Sequence, residues 1–220
     1  MSDSKAARAR PIIVFDFDGV IADSHDVCAA ACRWAAAELG HSDMPEKPFA
    51  ELEAVTYEAL AATISVDPER FAGLVCGALE ARTTCAPIFF GVADIMMELS
   101  RDFDIAILSA SDSDLINDFL ITHGIWHLVK CVMGRDVPGS KTEKLLALKS
   151  AHDGKFVAMI GDGVSDVAAA LHADVRAVGV AWGWQSARRL RASGADAIAM
   201  VPADLLDLIV VQELTEAPTR

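Results

Sequence analysis

The stretch IIVFDFDGV, residues 12–20, decides the fold of this chain. Its first six residues form a short apolar run with β-branched side chains, which predicts a strand buried on both faces. The Asp18-Gly19 pair that follows is a turn signal and ends the strand. Strands buried on both faces are typical of parallel sheets covered by helices. Two carboxylates, Asp16 and Asp18, are therefore expected near the carboxyl end of a buried strand.

From residue 88 onward the pattern alternates between helix and strand. Strands are predicted at residues 105–109, 129–133, 156–160, 177–180 and 197–200, with helices at 92–101, 112–123, 142–148, 165–173, 185–193 and 203–208. Strands joined by single helices specify a parallel sheet with helices on both faces. The sequence therefore predicts an α/β protein with a Rossmann-like parallel-sheet core.

Residues 23–87 interrupt this alternation. One helix is predicted at residues 25–39 and a second from Pro68 to about residue 81, with Asp67 as its N-cap. A helical segment between the first and second strands indicates an inserted cap. We therefore expect residues 1–22 and 88–220 to form the core domain and residues 23–87 to form a helical cap domain.

Composition excludes several classes of protein. The chain has 220 residues, is 53% hydrophobic and carries a formal net charge of -13. That apolar content is too high for a disordered chain, and the acidic balance disfavours nucleic acid and anionic membrane surfaces as partners. No apolar run approaches the roughly 20 residues that span a bilayer. Five cysteines without a CxxC pair, and no secretory signal, favour a cytoplasmic protein with reduced thiols.

Several polar residues follow the predicted strands, where ligands bind in a parallel sheet. Carboxylates that share a partly dry cleft repel one another, and their hard oxygen ligands suit Mg²⁺. One aspartate could then act as a nucleophile toward a phosphoryl group, with a lysine neutralising charge on the phosphoryl oxygens. The residues concerned are Asp16, Asp18, Gly19, Ser109, Ala110, Lys141, Asp162 and Asp166.

The motifs DFDGV (residues 16–20), ILSAS (107–111), Lys141 and GDGVSD (161–166), in this order, resemble those of the haloacid dehalogenase superfamily of aspartate-nucleophile phosphatases. The resemblance extends from residue 12 to about residue 208. The tail from Gly179 to Ile209 is similar to that of phosphoglycolate phosphatase-like members. An aspartate two residues after the nucleophile, here Asp18, places the chain with the phosphotransferring members, because release of halide needs no protonation.

The resemblance implies a Mg²⁺-dependent phosphatase that hydrolyses a small phosphorylated metabolite through an aspartyl-phosphate. Asp16 would be the nucleophile and a metal ligand, and Asp18 the general acid and base that also gives its backbone carbonyl to the metal. Asp162 would be a metal ligand, and Asp166 would support the metal shell or Lys141. The residues implied to bind the substrate phosphate are Ser109, Ala110, Lys141 and Gly19.

Two alternative functions remain open at this point. The first is a phosphomutase acting on a sugar phosphate, because Val20 stands where many phosphatases have Thr and also occurs in phosphomutase-like members. Such relatives carry a His in the first cap helix, where this chain has Cys28. The second is a non-catalytic binding protein, which the complete set of site residues disfavours. The chain could be a monomer or a homodimer, and the cap candidates for substrate contact are His25, Arg33, Arg70 and Arg82. Phosphonate-hydrolysing relatives form a Schiff base on a cap lysine, but the Pro-flanked loop around Lys47 does not match that context.

Overall fold

The computed structural model describes residues 10–82, 85–153 and 155–215. Its strands are β1 (Ile12–Phe15), β2 (Asp104–Leu108), β3 (Cys131–Met133), β4 (Phe156–Gly161), β5 (Ala177–Val180) and β6 (Ala197–Ala199). The helices are α1 (His25–Glu38), α2 (Tyr57–Thr63), α3 (Pro68–Glu80), α4 (Val92–Leu99), α5 (Ser113–Thr122), α6 (Lys141–Ala151), α7 (Val164–His172), α8 (Ala187–Ala192) and α9 (Asp204–Thr215). The six strands form one parallel sheet in the order β3-β2-β1-β4-β5-β6, which confirms the predicted α/β fold.

Strand β1 lies at the centre of the sheet and packs on both faces. Ile13 and Phe15 contact the layer that contains α4, α5 and α9, and Ile12 and Val14 contact the layer that contains α6, α7 and α8. All four side chains are fully buried, and each contributes roughly 1.5–3 kcal/mol through burial of apolar surface. The position of this strand is therefore fixed by packing from both sides.

The order of the strands reverses between β1 and β4. From β1 the chain proceeds outward through β2 and β3, then returns to β4 on the other side of β1. The pairing continues past the end of β1, because the amide of Asp16 donates to the carbonyl of Ile160 at 2.8 Å. A crevice forms beyond the carboxyl ends of strands at such a reversal, and ligands bind there in open α/β sheets.

Helices α1, α2 and α3 lie between β1 and β2 and have an apolar core of their own. Phe49, Leu60, Phe71 and Val75 are buried in that cluster. The first and last residues of this insertion are adjacent, because the amide of Asp23 donates to the carbonyl of Pro87 at 2.8 Å. The crossing point coincides with the predicted boundaries at residues 23 and 87, and the division into two domains stays a prediction.

Several elements differ from the sequence-based expectation. Strand β1 ends at Phe15 rather than at residue 17, because the carbonyl of Phe17 accepts the amides of three following residues in a tight turn. Helix α2 and a short 3₁₀ helix at Trp126–Leu128 were not predicted. Helix α9 continues to Thr215, beyond the predicted end at residue 208. Within the described ranges, every helix is too short or too polar to cross a bilayer.

Candidate active site

Three carboxylates meet at the crevice between β1 and β4. Asp16 follows β1, Asp162 follows β4, and Asp166 lies in the first turn of α7. One oxygen from each of the three lies within 4.8 Å of the other two. Asp162 and Asp166 are buried, whereas the side chain of Asp16 keeps 14% of its surface exposed. The strand ends thus assemble an acidic cluster that is open to solvent mainly through Asp16.

This cluster carries more negative charge than its protein partners neutralise. Burial and the Asp166 charge raise the pKa of Asp16 to about 7, although Lys141 opposes the shift. Burial, together with the charges of Asp16 and Asp166, also raises the pKa of Asp162. A divalent cation would relieve this repulsion, and an all-carboxylate set of hard oxygen ligands suits Mg²⁺. The residues present therefore fit a magnesium site.

Lys141 provides a positive charge beside the cluster. It is the first residue of α6, where Ser140 and Glu143 form a capping box that fixes the helix start. Its Nζ lies 3.3 Å from Oδ2 of Asp16 and donates to Oδ1 of Asp166. Burial lowers the pKa of Lys141, but the two carboxylates outweigh this effect and hold the pKa above its usual value. Lys141 therefore stays a cation at the edge of the site.

The carboxylate of Asp18 lies outside the group of three carboxylates and has hydroxyl partners of its own. It accepts hydrogen bonds from the hydroxyls of Ser24 at 2.6 Å and Ser111 at 2.5 Å. Burial raises the pKa of Asp18 despite these hydrogen bonds. A carboxyl group with a raised pKa is suited to holding a proton, and a metal contact from this residue would fall to its backbone carbonyl, as the resemblance implies.

The predicted phosphate-binding residues occupy two different places. Ser109 and Ala110 line a cavity in front of the acidic cluster. The oxygen of Ser109 accepts the amide of Ser111 at 3.1 Å, so its hydroxyl hydrogen is available for a ligand. Gly19 is absent from the described lining and lies against Asp162, where an added Cβ would stand 2.0 Å from Oδ2. A phosphate contact at Gly19 stays a prediction.

The cavity has a volume of about 170 Å³ and is bounded by residues from both the sheet edge and the helical insertion. Ligand pockets for drug-sized molecules are larger than this, so the cavity suits a small ligand. Sequence reasoning did not identify most of the residues that approach from the insertion and from the other loops. These additional lining residues are Phe49, Val55, Thr56, Tyr57, Glu58, Ser111, Arg135, Ser165 and Trp184.

The cap residues proposed from sequence lie elsewhere. His25 makes edge contacts with the rings of Phe49 and Trp184, at centroid distances of 6.1 and 5.9 Å. It therefore supports two residues that line the cavity. The other three candidates, Arg33, Arg70 and Arg82, are absent from the lining in the part of the chain that the structure describes, and so is Lys47.

Comparisons with known proteins agree with this geometry. A family model for haloacid dehalogenase-like hydrolases matches residues 13–180. The chain therefore belongs to the haloacid dehalogenase-like hydrolase family, and the predicted family and enzyme class, a phosphoric monoester hydrolase, are confirmed.

Individual relatives cover nearly the whole chain. A phosphoglycolate phosphatase from Synechococcus elongatus is 29% identical over 203 residues, which cover 90% of this chain and 96% of the relative. A haloacid dehalogenase-like hydrolase structure from Streptococcus pneumoniae has a TM-score of 0.77 at 20% identity, covering 90% of this chain and 97% of that one. A Thermotoga maritima structure with a provisional β-phosphoglucomutase assignment has a TM-score of 0.63 at 19% identity, covering 93% and 99%. The two structural likenesses show the fold alone.

Proposed function

We propose that this hydrolase is a Mg²⁺-dependent phosphatase that releases phosphate from a small phosphorylated metabolite through an aspartyl-phosphate on Asp16. The observation that carries the proposal is the cluster of Asp16, Asp162 and Asp166 at the reversal of strand order, with Lys141 beside it. Asp18 stands two residues from the nucleophile with a raised pKa. The phosphoglycolate phosphatase relatives support the same reaction class.

The reaction would proceed in two steps. A carboxylate oxygen of Asp16 attacks the phosphorus atom, the ester P–O bond breaks, and Asp18 gives its proton to the oxygen of the leaving alcohol. Asp18, now a carboxylate, takes a proton from water, and the oxygen of that water attacks the phosphorus of the aspartyl-phosphate. The bond between phosphorus and Asp16 breaks, inorganic phosphate leaves, and both aspartates regain their starting states.

The other site residues bind and orient the phosphoryl group. The hydroxyl of Ser109 and the ammonium of Lys141 would donate to phosphoryl oxygens. Asp16, Asp162, Asp166 and the backbone carbonyl of Asp18 would hold Mg²⁺, which when bound supplies positive charge to offset the negative charge on the phosphoryl oxygens. The helical insertion would cover the cavity and limit the access of bulk water during turnover.

The test is turnover of p-nitrophenyl phosphate, and of a panel of small phosphate esters that includes 2-phosphoglycolate, with Mg²⁺ present. We expect Asp16→Asn to lower kcat by about 10,000-fold or more, because removal of a nucleophile eliminates the covalent route. Asp102→Asn is the matched control, because this exposed aspartate precedes β2 at the opposite edge of the sheet. Activity that survives Asp16→Asn, or no turnover of any ester, would contradict the proposal.

A phosphomutase with the same core site is distinguished by its product. A mutase would isomerise a sugar phosphate and release little inorganic phosphate, whereas the proposed phosphatase releases one phosphate per turnover. The helical insertion disfavours the phosphomutase, because phosphomutase relatives carry a histidine in the first cap helix and this chain has Cys28 at that position. That thiol is buried and accepts a hydrogen bond from the hydroxyl of Tyr57 at 3.5 Å. Simultaneous assay of free phosphate and of sugar phosphate isomers decides between the two.

A further inference from the structure

Arg135 reaches across the cavity from the sheet side to the helical insertion. It lies in the loop after β3 and lines the cavity. Its Nη2 donates to Oε1 of Glu58 on α2 at 3.3 Å, and its Nη1 donates to Sγ of Cys76 on α3 at 3.1 Å. The side chain of Arg135 keeps 40% of its surface exposed. Its guanidinium therefore has N–H groups left over for a ligand.

The backbone that carries Arg135 is fixed by the loop after β2, which contains Ser109 and Ser111, and by α6. The amide of Arg135 donates to the carbonyl of Ser111 at 2.9 Å, and Nζ of the buried Lys144 donates to the carbonyl of Gly134 at 2.8 Å. A Cβ on Gly134 would stand 2.5 Å from the amide nitrogen of Ser113, so the loop packs closely against the start of α5. These contacts therefore fix the position of the Arg135 backbone from which the guanidinium extends.

Ser111 connects this loop to the proposed proton donor. Its carbonyl accepts the amide of Arg135, and its hydroxyl donates to Oδ2 of Asp18 at 2.5 Å. Asp18 would protonate the oxygen of the leaving alcohol. Asp18, Ser111 and Arg135 all line the same cavity, so the guanidinium and the proposed proton donor belong to one site.

The charges of the cavity leave Arg135 available for a second acidic group. Arg135 and Lys141 are the cations among the lining residues that the structure describes, and Lys141 already contacts Asp16 and Asp166. Arg135 is paired with the carboxylate of Glu58, whose side chain is 44% exposed. A half-exposed pair of this kind contributes little to stability, so an incoming carboxylate can compete with Glu58 for the guanidinium.

We propose that Arg135 determines substrate specificity by binding a carboxylate on the leaving group. Phosphate monoesters of small hydroxy acids, the class that includes the substrate named for the phosphoglycolate phosphatase relatives, would then be the substrates. A planar guanidinium matches a carboxylate with two parallel hydrogen bonds, and the small cavity requires that only a short chain separate the carboxylate from the phosphate. This inference rests on the proposed phosphatase function and adds to it the residue that selects the substrate.

The experiment compares kcat/KM for two esters of similar size, 2-phosphoglycolate with a carboxylate and ethyl phosphate without one. We expect the wild-type protein to prefer 2-phosphoglycolate, and Arg135→Ala to lower the ratio of the two kcat/KM values roughly 10- to 100-fold, because charge-assisted hydrogen bonds are lost. Arg135→Lys should lower the ratio less. Arg101→Ala is the control, because it removes the same charge from an exposed pair with Glu98 on α4.

Glu58→Gln gives an independent result if Arg135→Ala does not fold. Removal of the competing carboxylate should raise the preference for 2-phosphoglycolate, and circular dichroism confirms that each variant is folded. An unchanged ratio in Arg135→Ala, no rise in Glu58→Gln, or a wild-type preference for ethyl phosphate would overturn the inference. If the wild type hydrolyses both esters in an Asp16-dependent way, those results leave the proposed function standing; if it hydrolyses no ester, both proposals fail.

Discussion

Asp162 is enclosed by the backbones of two glycines. A Cβ on Gly19 would stand 2.0 Å from Oδ2 of Asp162, and a Cβ on Gly183 would stand 2.2 Å from its Cβ. The amide of Trp184 donates to the same Oδ2 at 2.6 Å. The carboxylate is therefore held in one orientation by close backbone contacts, which larger residues at positions 19 and 183 would destroy.

Gly19→Ala is expected to reduce activity at least 100-fold and to lower the free energy of unfolding by about 1–3 kcal/mol. Gly19 has a φ of 76°, so alanine there costs roughly 1–2 kcal/mol in backbone strain alone, and its Cβ would also displace Asp162. Such displacements are costly to catalysis. Phosphatase turnover and urea denaturation measure the two effects.

Gly40→Ala is the matched control for that substitution. Gly40 has a φ of 80°, but an added Cβ would have no atom within 4 Å. We expect a similar backbone strain and unchanged activity. Equal losses of activity in the two variants would show that strain, and not the position of Asp162, is what matters at Gly19.

The identities of the central site residues could be predicted from sequence, and the outer ones could not. Asp16, Ser109 and Asp162 each follow a recognisable buried strand, so the parallel sheet alone brings them to one edge. Arg135 also follows a strand, but its place in the cavity depends on a hydrogen bond to Ser111 in a separate loop. No pattern along the chain indicates such a contact.

At the level of elements, the segment between Phe49 and Leu52 is attached to the sheet side of the molecule through Gln185. The buried Nε2 of Gln185 donates to the carbonyl of Phe49 at 3.1 Å and to that of Leu52 at 2.7 Å. Its Oε1 accepts the amide of Val164 at 2.8 Å, at the start of α7. One side chain thus satisfies backbone groups from both the insertion and the core.

Gln185→Leu is expected to lower the free energy of unfolding by about 1–3 kcal/mol, because it removes three hydrogen bonds and leaves the amide of Val164 without its partner. The carbonyls of Phe49 and Leu52 keep bonds at 3.3 Å from the amide of Leu52 and from Nη2 of Arg189. Ser186→Ala, which removes only the N-cap of α8, should cost about 1 kcal/mol. Urea denaturation of both variants provides the comparison. A loss in Gln185→Leu no larger than that in Ser186→Ala would contradict this role.

The insertion also shows which elements a sequence reveals. Helix α3 was predicted because Asp67 and Pro68 mark its start, and Asp67 does accept the amide of Arg70 at 2.8 Å. Helix α2 has seven residues, too few for an apolar period to be recognised. The sequence therefore does not predict the start of α2 at Thr56. It also does not predict that Tyr57 and Glu58, in the first turn of this helix, line the cavity.

For the whole molecule, we expect the net charge of -13 and the acidic cluster to make the free energy of unfolding dependent on a cation. We expect Mg²⁺ to raise the melting temperature, because a ligand at 100 times its Kd stabilises the folded state by about 2.7 kcal/mol. Asp162→Asn should melt higher than the wild type in EDTA, since it removes a buried charge while its amide oxygen can still accept from Trp184.

In Asp162→Asn, Mg²⁺ should raise the melting temperature much less than in the wild type, because the variant lacks a proposed metal ligand. Asp207→Asn, at an exposed position of α9, is the control and should keep the full gain. Differential scanning fluorimetry at constant ionic strength measures these shifts. An equal response to Mg²⁺ in Asp162→Asn and the wild type would place the cation elsewhere.

The two chain crossings beside Ala22 have a consequence for protein engineering. Ala22 and Ile88 form an antiparallel bridge, and the amide of Asp23 donates to the carbonyl of Pro87. The two ends of the insertion therefore lie next to each other. A graft of any length whose own ends lie close together would meet this junction without stretching the core. We therefore expect chimaeras joined at this bridge to retain Arg135 and the phosphoryl chemistry of the strand ends, and to exchange only the side of the cavity that contains Tyr57 and Glu58.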